Sequence, residues 1–274
     1  MAEAAKKPSV INLDSLLEIA MKGVRRGAAF LALGANSARD PHFISYQLPK
    51  DCLQFFNDDL PAPTIAHFKS EFEKWIVWNV LRELIESFAA FLDEAYRTCL
   101  LVDVNKKIMT LEDARSLDRS FEHKGVPDKL SELRIRFGIA TEKETYIVSI
   151  NRVRNSITHR RGLVGERDTR DEGVLRVHWW AMDLVAVMSN GGEVHIAPPF
   201  QETLIMEGGQ IVVRIVDRER EFKLGDSLQL SVCDVAEICH LMLEAAREIR
   251  SSLLQHLKQR GVTISSQDRD SSAE

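Results

Sequence analysis

The densest cluster of chemically active side chains lies between residues 152 and 161, where the sequence reads RVRNSITHRR without an acid. Histidine, whose ordinary pKa is about 6.5, can donate or accept a proton at neutral pH. Arginine offers a planar, permanently charged fork that stabilises negative charge on phosphoryl oxygens. These residue types suit acid–base chemistry on a phosphate ester. The alternative is structural, because cations in the last turn of a helix stabilise the negative end of its dipole.

The segment Arg154 to His159, RNSITH, resembles the RNxxxH form of the Rx4-6H motif of HEPN domains. The resemblance implies a metal-independent endoribonuclease of a bacterial toxin–antitoxin or phage-defence system, which needs no cofactor. It assigns His159 as general acid or base, Arg154 as phosphate stabiliser and Asn155 as the hydrogen-bonding residue that orients them. The likeness covers roughly 64 to 165 and the last helix.

Helical geometry qualifies the choice of arginine. At about 100° per residue, Arg152, Asn155 and His159 lie on one face, whereas Arg154 lies roughly 140° from His159. Arg152 is then the better geometric partner of the histidine. A helix that ends near Thr158 would release His159 from this constraint, so both arginines stay candidates.

Partners follow from the same segment. Arg152, Arg160 and Arg161 are candidate binding residues for RNA or a nucleotide. One chain carries a single Arg/His set, and in HEPN proteins two such helices meet across a two-fold axis. The resemblance therefore implies a homodimer with the 152 to 159 segments facing each other, and an antitoxin or regulatory protein as a further partner.

Two other functions fit the residues. A non-catalytic HEPN-like module would hold a nucleotide, an RNA or a protein through the same basic helix end. A helical scaffold without any nucleic-acid role would use its β-rich segment as an interface.

Composition sets limits on these functions. The 274 residues are 45% hydrophobic and 28% charged, which is typical of a globular protein. The net charge of −5 gives no overall attraction to nucleic acid, so a polyanion site must be local. The chain lacks the P-loop, Rossmann, zincin and α/β-hydrolase motifs.

Cellular location and metal binding are also constrained. No apolar stretch is long enough for a secretory signal or a membrane span, so we expect a cytoplasmic protein without a membrane partner. The four cysteines form no CxxC pair and are expected to be reduced core thiols. His178 and His195 lack nearby acidic or cysteine ligands, so no metal site is predicted.

Hydrophobic periodicity predicts the elements that position the motif. A helical period runs over 11 to 34, 64 to 100 and 141 to 159, and the last of these opens on a capping box of Thr141 and Glu144. Further helices are predicted at 111 to 119, capped by Thr110, at 127 to 138, and from Ser231 to Gly261, with a short one near 50 to 57.

Residues 174 to 229 have a different texture, rich in Val, Ile and Trp and punctuated by glycine and proline. Strands are predicted near 174 to 188, 194 to 197, 202 to 206, 210 to 216 and 220 to 224. The sequence therefore predicts a mainly α, HEPN-like helical bundle that forms one domain over 1 to 274. It carries a small antiparallel β insertion at 174 to 229, before the last helix, and a disordered tail at 262 to 274.

Overall fold

A computed structural model describes residues 11–42, 48, 51–56, 60–169, 173–196 and 209–262. The described chain is mainly helical and has one small antiparallel sheet, as the sequence predicts. Its helices are α1 (Leu13–Arg39), α2 (Ala62–Asn105), α3 (Leu111–Glu122), α4 (Val126–Phe137), α5 (Glu144–Arg160), α6 (Glu166–Thr169) and α7 (Val232–Gln259). Its strands are β1 (Val174–Val187), β2 (Glu193–Ile196) and β3 (Gln210–Lys223).

The residues group into two compact units, each assembled from separate stretches of sequence. One comprises 1–23, 86–144 and 243–274, and the other comprises 24–85 and 145–242. The second contains the RNSITH segment and the sheet, so we call it the sheet unit and call the first the helical unit.

The helical unit is organised around Tyr96 of α2. Its ring stacks on Phe121 of α3 with 3.8 Å between centroids, and its hydroxyl donates to Glu132 of α4 at 2.6 Å. The pKa of Tyr96 is raised by burial and by this carboxylate. Lys129, which is almost fully buried, donates to both carboxylate oxygens of Asp93 at 2.6 and 2.8 Å. A buried cation and a buried aromatic ring therefore fix α3 and α4 on α2.

In the sheet unit, the three strands have the order β2-β1-β3, and both pairings are antiparallel. The central strand β1 supplies the fully buried Trp179, whose indole N–H donates to Glu237 of α7 at 2.7 Å. On its other side β1 meets α5, because Ser149 accepts a hydrogen bond from the amide of His178 at 3.0 Å. Strand β1 thus contacts α5 through His178 and α7 through Trp179.

The predicted cap of α3 at Thr110 is confirmed, and Ser231, at the start of the predicted last helix, caps α7. The amide of Asp113 donates to Thr110 at 3.1 Å at the start of α3, and the amide of Asp234 donates to Ser231 at 3.0 Å at the start of α7. The predicted box at Thr141 is wrong, because the Thr141 oxygen accepts from the amide of Lys143 at 3.1 Å and not from Glu144, and its hydroxyl donates to Glu248. Helix α5 accordingly begins at Glu144.

Several predicted boundaries also differ from the structure. Strand β3 is continuous where two strands, 210–216 and 220–224, are predicted, because every residue of β3 has a partner on β1. The short helix predicted near 50–57 is absent from the described residues 51–56. The predicted strand at 202–206 and the tail from 263 lie outside the described residues.

Helix α2 keeps its α-helical geometry through Asn79, where the burial of its apolar side chains changes. Beyond this point the apolar side chains are deeply buried, as at Leu81 and Phe88. Before it, Phe72 and Trp75 are exposed and stack on each other with 6.2 Å between ring centroids. In this first part of the helix, Phe72 and Trp75 therefore lie on the surface, whereas Trp78 is partly buried.

Candidate active site

Helix α5 carries the RNSITH segment in its last two turns and continues through Arg160. His159 therefore belongs to the helix and obeys its geometry. The opposite side of α5 is in the core, with Ile150 and Val153 almost fully buried. His159 is exposed, and Arg152 and Asn155 are partly exposed. By helical geometry Asn155 and His159 are about 6 Å apart along the axis and share one face with Arg152.

Arg154 lies on the flank of the buried stripe and is partly buried. Its Nη1 donates to Oδ1 of Asn155 at 3.3 Å. The guanidinium of Arg154 is thus linked to the exposed face through the side chain of Asn155. Arg154 and Asn155 are therefore in contact, and His159 lies one helical turn beyond Asn155.

Arg160 makes a specific ion pair on the far side of the segment. Its Nε donates to Oδ2 of Asp168 at 3.0 Å, and its Nη2 donates to Oδ1 of the same carboxylate. Nη2 also donates to the buried hydroxyl of Ser156 at 3.1 Å. Asp168 is buried and accepts in addition from the amide of Gly165 at 2.9 Å. Arg160 therefore anchors the last turn of α5 to α6, the short helix that follows it.

The chain leaves α5 through two residues with left-handed backbone. Arg161 has φ 53° and Gly162 has φ 72°. A Cβ at Gly162 would lie 2.3 Å from the ring of Trp78, so only glycine fits between α5 and α2 there. The indole N–H of Trp78 donates to the carbonyl of Leu228 at 3.3 Å, and the amide of Leu228 donates to the carbonyl of Gly162 at 2.8 Å.

The next residues of the exit pair with the segment that precedes α7. The amide of Val164 donates to the carbonyl of Asp226 at 2.9 Å, and the amide of Gly225 donates back to Val164 at 2.9 Å. Together with the Arg160–Asp168 pair, these bonds fix the C-terminal end of α5. Arg161, by contrast, is exposed and makes no side-chain hydrogen bond or ion pair with the other described residues.

The N-terminal half of α5 is held by Tyr146. Its hydroxyl donates to Asp217 of β3, and its ring meets His178 of β1 edge-on with 5.6 Å between centroids. The hydrogen bond to the Asp217 carboxylate, followed by burial, raises the pKa of Tyr146. Both ends of α5 are therefore fixed, and its exposed face has a defined orientation within the sheet unit.

Sequence reasoning missed Asp168 and Trp78, which position the motif without carrying its chemistry. Asp168 lies in α6, a four-residue helix too short to give a periodic signal. The contact of Trp78 has one signal in the sequence, the glycine at 162, but a glycine after a helix is already explained as the end of that helix. Arg160, a predicted binding residue, also has a structural partner, because its guanidinium donates to Asp168.

The described residues contain no group of three or more His, Cys, Asp or Glu side chains arranged for a metal ion. His195 lies 3.9 Å from Asp183, and His178 contacts Tyr146, so the two histidines have different neighbours. All four cysteines are free thiols; Cys99 and Cys239 are buried, and Cys52 and Cys233 are exposed. No described helix is long and apolar enough to cross a membrane.

Comparison of the chain with protein-family models, curated proteins and solved structures finds no match.

Proposed function

We propose that this protein is a HEPN-like, metal-independent endoribonuclease of a toxin–antitoxin or phage-defence system, acting in the cytoplasm. The observation that carries the proposal is the exposed face of α5, on which Arg152, Asn155 and His159 lie together on a helix fixed at both ends. A fixed helix lowers the cost of orienting a proton donor and a cation at the transition state.

In the proposed reaction, His159 accepts the proton of the ribose 2′-hydroxyl or donates one to the leaving 5′-oxygen. The attack of the 2′-oxygen on phosphorus breaks the bond to the 5′-oxygen and leaves a 2′,3′-cyclic phosphate. An arginine stabilises the charge on the non-bridging oxygens, and Asn155 orients the groups. Because one chain supplies one such set, the proposal includes a homodimer in which the two sets share a cleft, with an antitoxin or regulatory protein as a further partner.

The decisive experiment incubates the purified full chain with total RNA in EDTA and analyses the ends of the products. We expect cleavage with 2′,3′-cyclic phosphate ends, and no cleavage where the 2′-hydroxyl is replaced by hydrogen. His159→Ala should reduce the rate by about 10² to 10⁴, the usual contribution of general acid–base catalysis. His123→Ala, at another exposed histidine, is the matched control. Cleavage that disappears in EDTA and returns with Mg²⁺ would refute this mechanism.

A non-catalytic RNA- or nucleotide-binding module is the second candidate. It is favoured by Arg161, whose exposed side chain makes no hydrogen bond or ion pair with the other described residues and can bind an anion without taking part in catalysis. If the wild type retains RNA in a His159-dependent way but cuts none, the binding module replaces the ribonuclease.

A further inference from the structure

The outer edge of β3 has a different character in its two halves. Its second half, 217–223, carries charged side chains that form pairs within the chain, such as Arg218 with Asp183 and Arg220 with Asp234. Its first half, 210–216, reads QIVVRIV and has Arg214 as its single charge. Charged side chains usually prevent an edge strand from pairing with another chain, and the first half of β3 has only one of them.

The apolar side chains in this first half are unusually exposed. Ile211, Val213 and Ile215 share one face of the sheet and are 55%, 53% and 67% exposed. On the central strand β1, Ala186 and Leu184, which pair with Ile211 and Val213 and have β2 on their other side, are buried and half-buried, whereas Met182, which pairs with Ile215 beyond the end of β2, is exposed. No other described strand pairs with the outer edge of β3. A further strand there would give β3 the flanking neighbours that β1 already has.

We propose that this edge pairs antiparallel with the same edge of a second copy of the chain, about a two-fold axis at Val213. Paired residues must point to the same face, so the axis passes through a residue rather than between two. An axis at Arg214 would oppose two arginines, and an axis at Val216 would oppose Arg214 with Arg218. An axis at Asp217 would oppose two carboxylates.

Axes at Ile211 or Val212 would leave Ile215 without an apolar partner, because it would lie beyond the start of the strand or opposite Gly209. The positions Ile215 and Val213 are distinguished by their neighbours. An axis at Ile215 would place Val213 against Asp217 and Ile211 against Glu219, which sets carboxylates beside apolar side chains. An axis at Val213 pairs Ile211 with Ile215 and Val213 with itself on one face, and on the other face it places Arg214 against Val212 and opposes no two like charges. The strand is thus self-complementary about Val213, which is what a two-fold symmetric interface requires.

This inference is independent of the proposed function, because it uses no residue of the α5 face. If copies also associate through α5 and the two two-fold axes are perpendicular, pairing at β3 joins two α5 dimers into a closed tetramer. In either case, blocking β3 should halve the mass of the particle in solution.

The register is tested by disulfide trapping in the full chain, with the exposed Cys52 and Cys233 replaced by serine. Across the proposed axis, the two Cα atoms of residue 213 are about 4.5 to 5.5 Å apart, which is within the range of a disulfide. Those of residue 215 are more than about 10 Å apart, because each is displaced by two residues from the axis. We expect Val213→Cys to form a covalent dimer under oxidation and Ile215→Cys to form none.

The mass is tested by light scattering on Val213→Lys, with Glu219→Lys as the matched control in the charged half of the same strand. We expect Val213→Lys to halve the mass with unchanged circular dichroism, and Glu219→Lys to leave it as in the wild type. Crosslinking at 215 in place of 213, or an absence of crosslinking together with an unchanged mass, overturns the proposal.

Discussion

Asn155 accepts a hydrogen bond from Arg154, with 3.3 Å between its Oδ1 and Nη1 of the arginine. These neighbours in sequence point to different sides of α5, and the long arginine side chain reaches back to the asparagine. One consequence is that the guanidinium of Arg154 acts on the exposed face through Asn155. Arg152 needs no such intermediary, since it already shares that face with His159.

We therefore expect Arg152→Ala to reduce kcat/KM for RNA cleavage more than Arg154→Ala does. Removing a residue that stabilises transition-state charge lowers the rate by about 10² to 10³, and we expect a loss of this size in Arg152→Ala. Steady-state kinetics on a short RNA substrate provide the measurement, with circular dichroism to show that both variants are folded. A larger loss at Arg154 would show that the motif, rather than the shared helical face, identifies the catalytic arginine.

Asp168 and Arg160 should contribute to stability. Removal of Arg160 leaves the buried carboxylate of Asp168 without its charge partner, and breaking a buried ion pair costs about 3 to 5 kcal/mol. Since Arg160 is partly exposed, we expect Arg160→Ala to lower the free energy of unfolding by about 2 to 3 kcal/mol. Arg161→Ala, at the exposed neighbour, should change it by less than about 0.5 kcal/mol.

Urea denaturation of the two variants beside the wild type measures both effects. Equal stabilities of the Arg160 and Arg161 variants would show that the pair with Asp168 does not anchor the end of α5.

The contrast between these two arginines shows how far the sequence alone can go. Local signals work where the partners are a few residues apart, as in the capping boxes of Thr110 and Ser231. The shared face of Arg152, Asn155 and His159 is also local, because it depends only on helical geometry. The engagement of Arg160 depends on a turn that brings Asp168 back to the helix end, and no periodic pattern encodes that turn.

Longer-range contacts are less accessible still. The contact of Gly162 with Trp78 joins α5 to α2. In the sequence, Gly162 is already explained by the end of a helix and Trp78 by the hydrophobic period of α2, so nothing indicates that the two residues meet. In α2, by contrast, the sequence predicts a contact that the structure lacks. Phe72 and Trp75 have the helical spacing of a core face, yet both lie on the surface. Periodicity identifies a face, but what covers that face depends on the rest of the fold.

Gly162→Ala should strongly destabilise the sheet unit. The new Cβ would lie 2.3 Å from the Trp78 ring, and the backbone has φ 72°, which disfavours any side chain. Gly138→Ala separates the two effects, since Gly138 has φ 68° but no atom within 4 Å of its added Cβ. The backbone cost alone is about 1 to 2 kcal/mol, so Gly138→Ala should lose about that much and Gly162→Ala clearly more.

The double variant Gly162→Ala with Trp78→Leu tests the assignment to the indole ring. It should lose less than the sum of the two single losses, because the smaller side chain relieves the clash. Thermal and urea unfolding give these free energies. Strict additivity would mean that the ring does not limit the residue at 162.

His256 should make the protein less stable as the pH falls. Burial first, and then the charge of Arg260, lower its pKa, and these effects outweigh the backbone hydrogen bond at Phe137 and the charge of Asp103. The unfolded chain, with a pKa of about 6.5 at this residue, therefore binds the proton more readily than the folded chain. The stability that neutral His256 provides is complete above pH of about 6.5 and is lost as the pH falls from there towards the folded pKa. Urea unfolding between pH 8 and 5 should show this decline in the wild type and a shallower one in His256→Gln, and equal slopes would contradict the assignment.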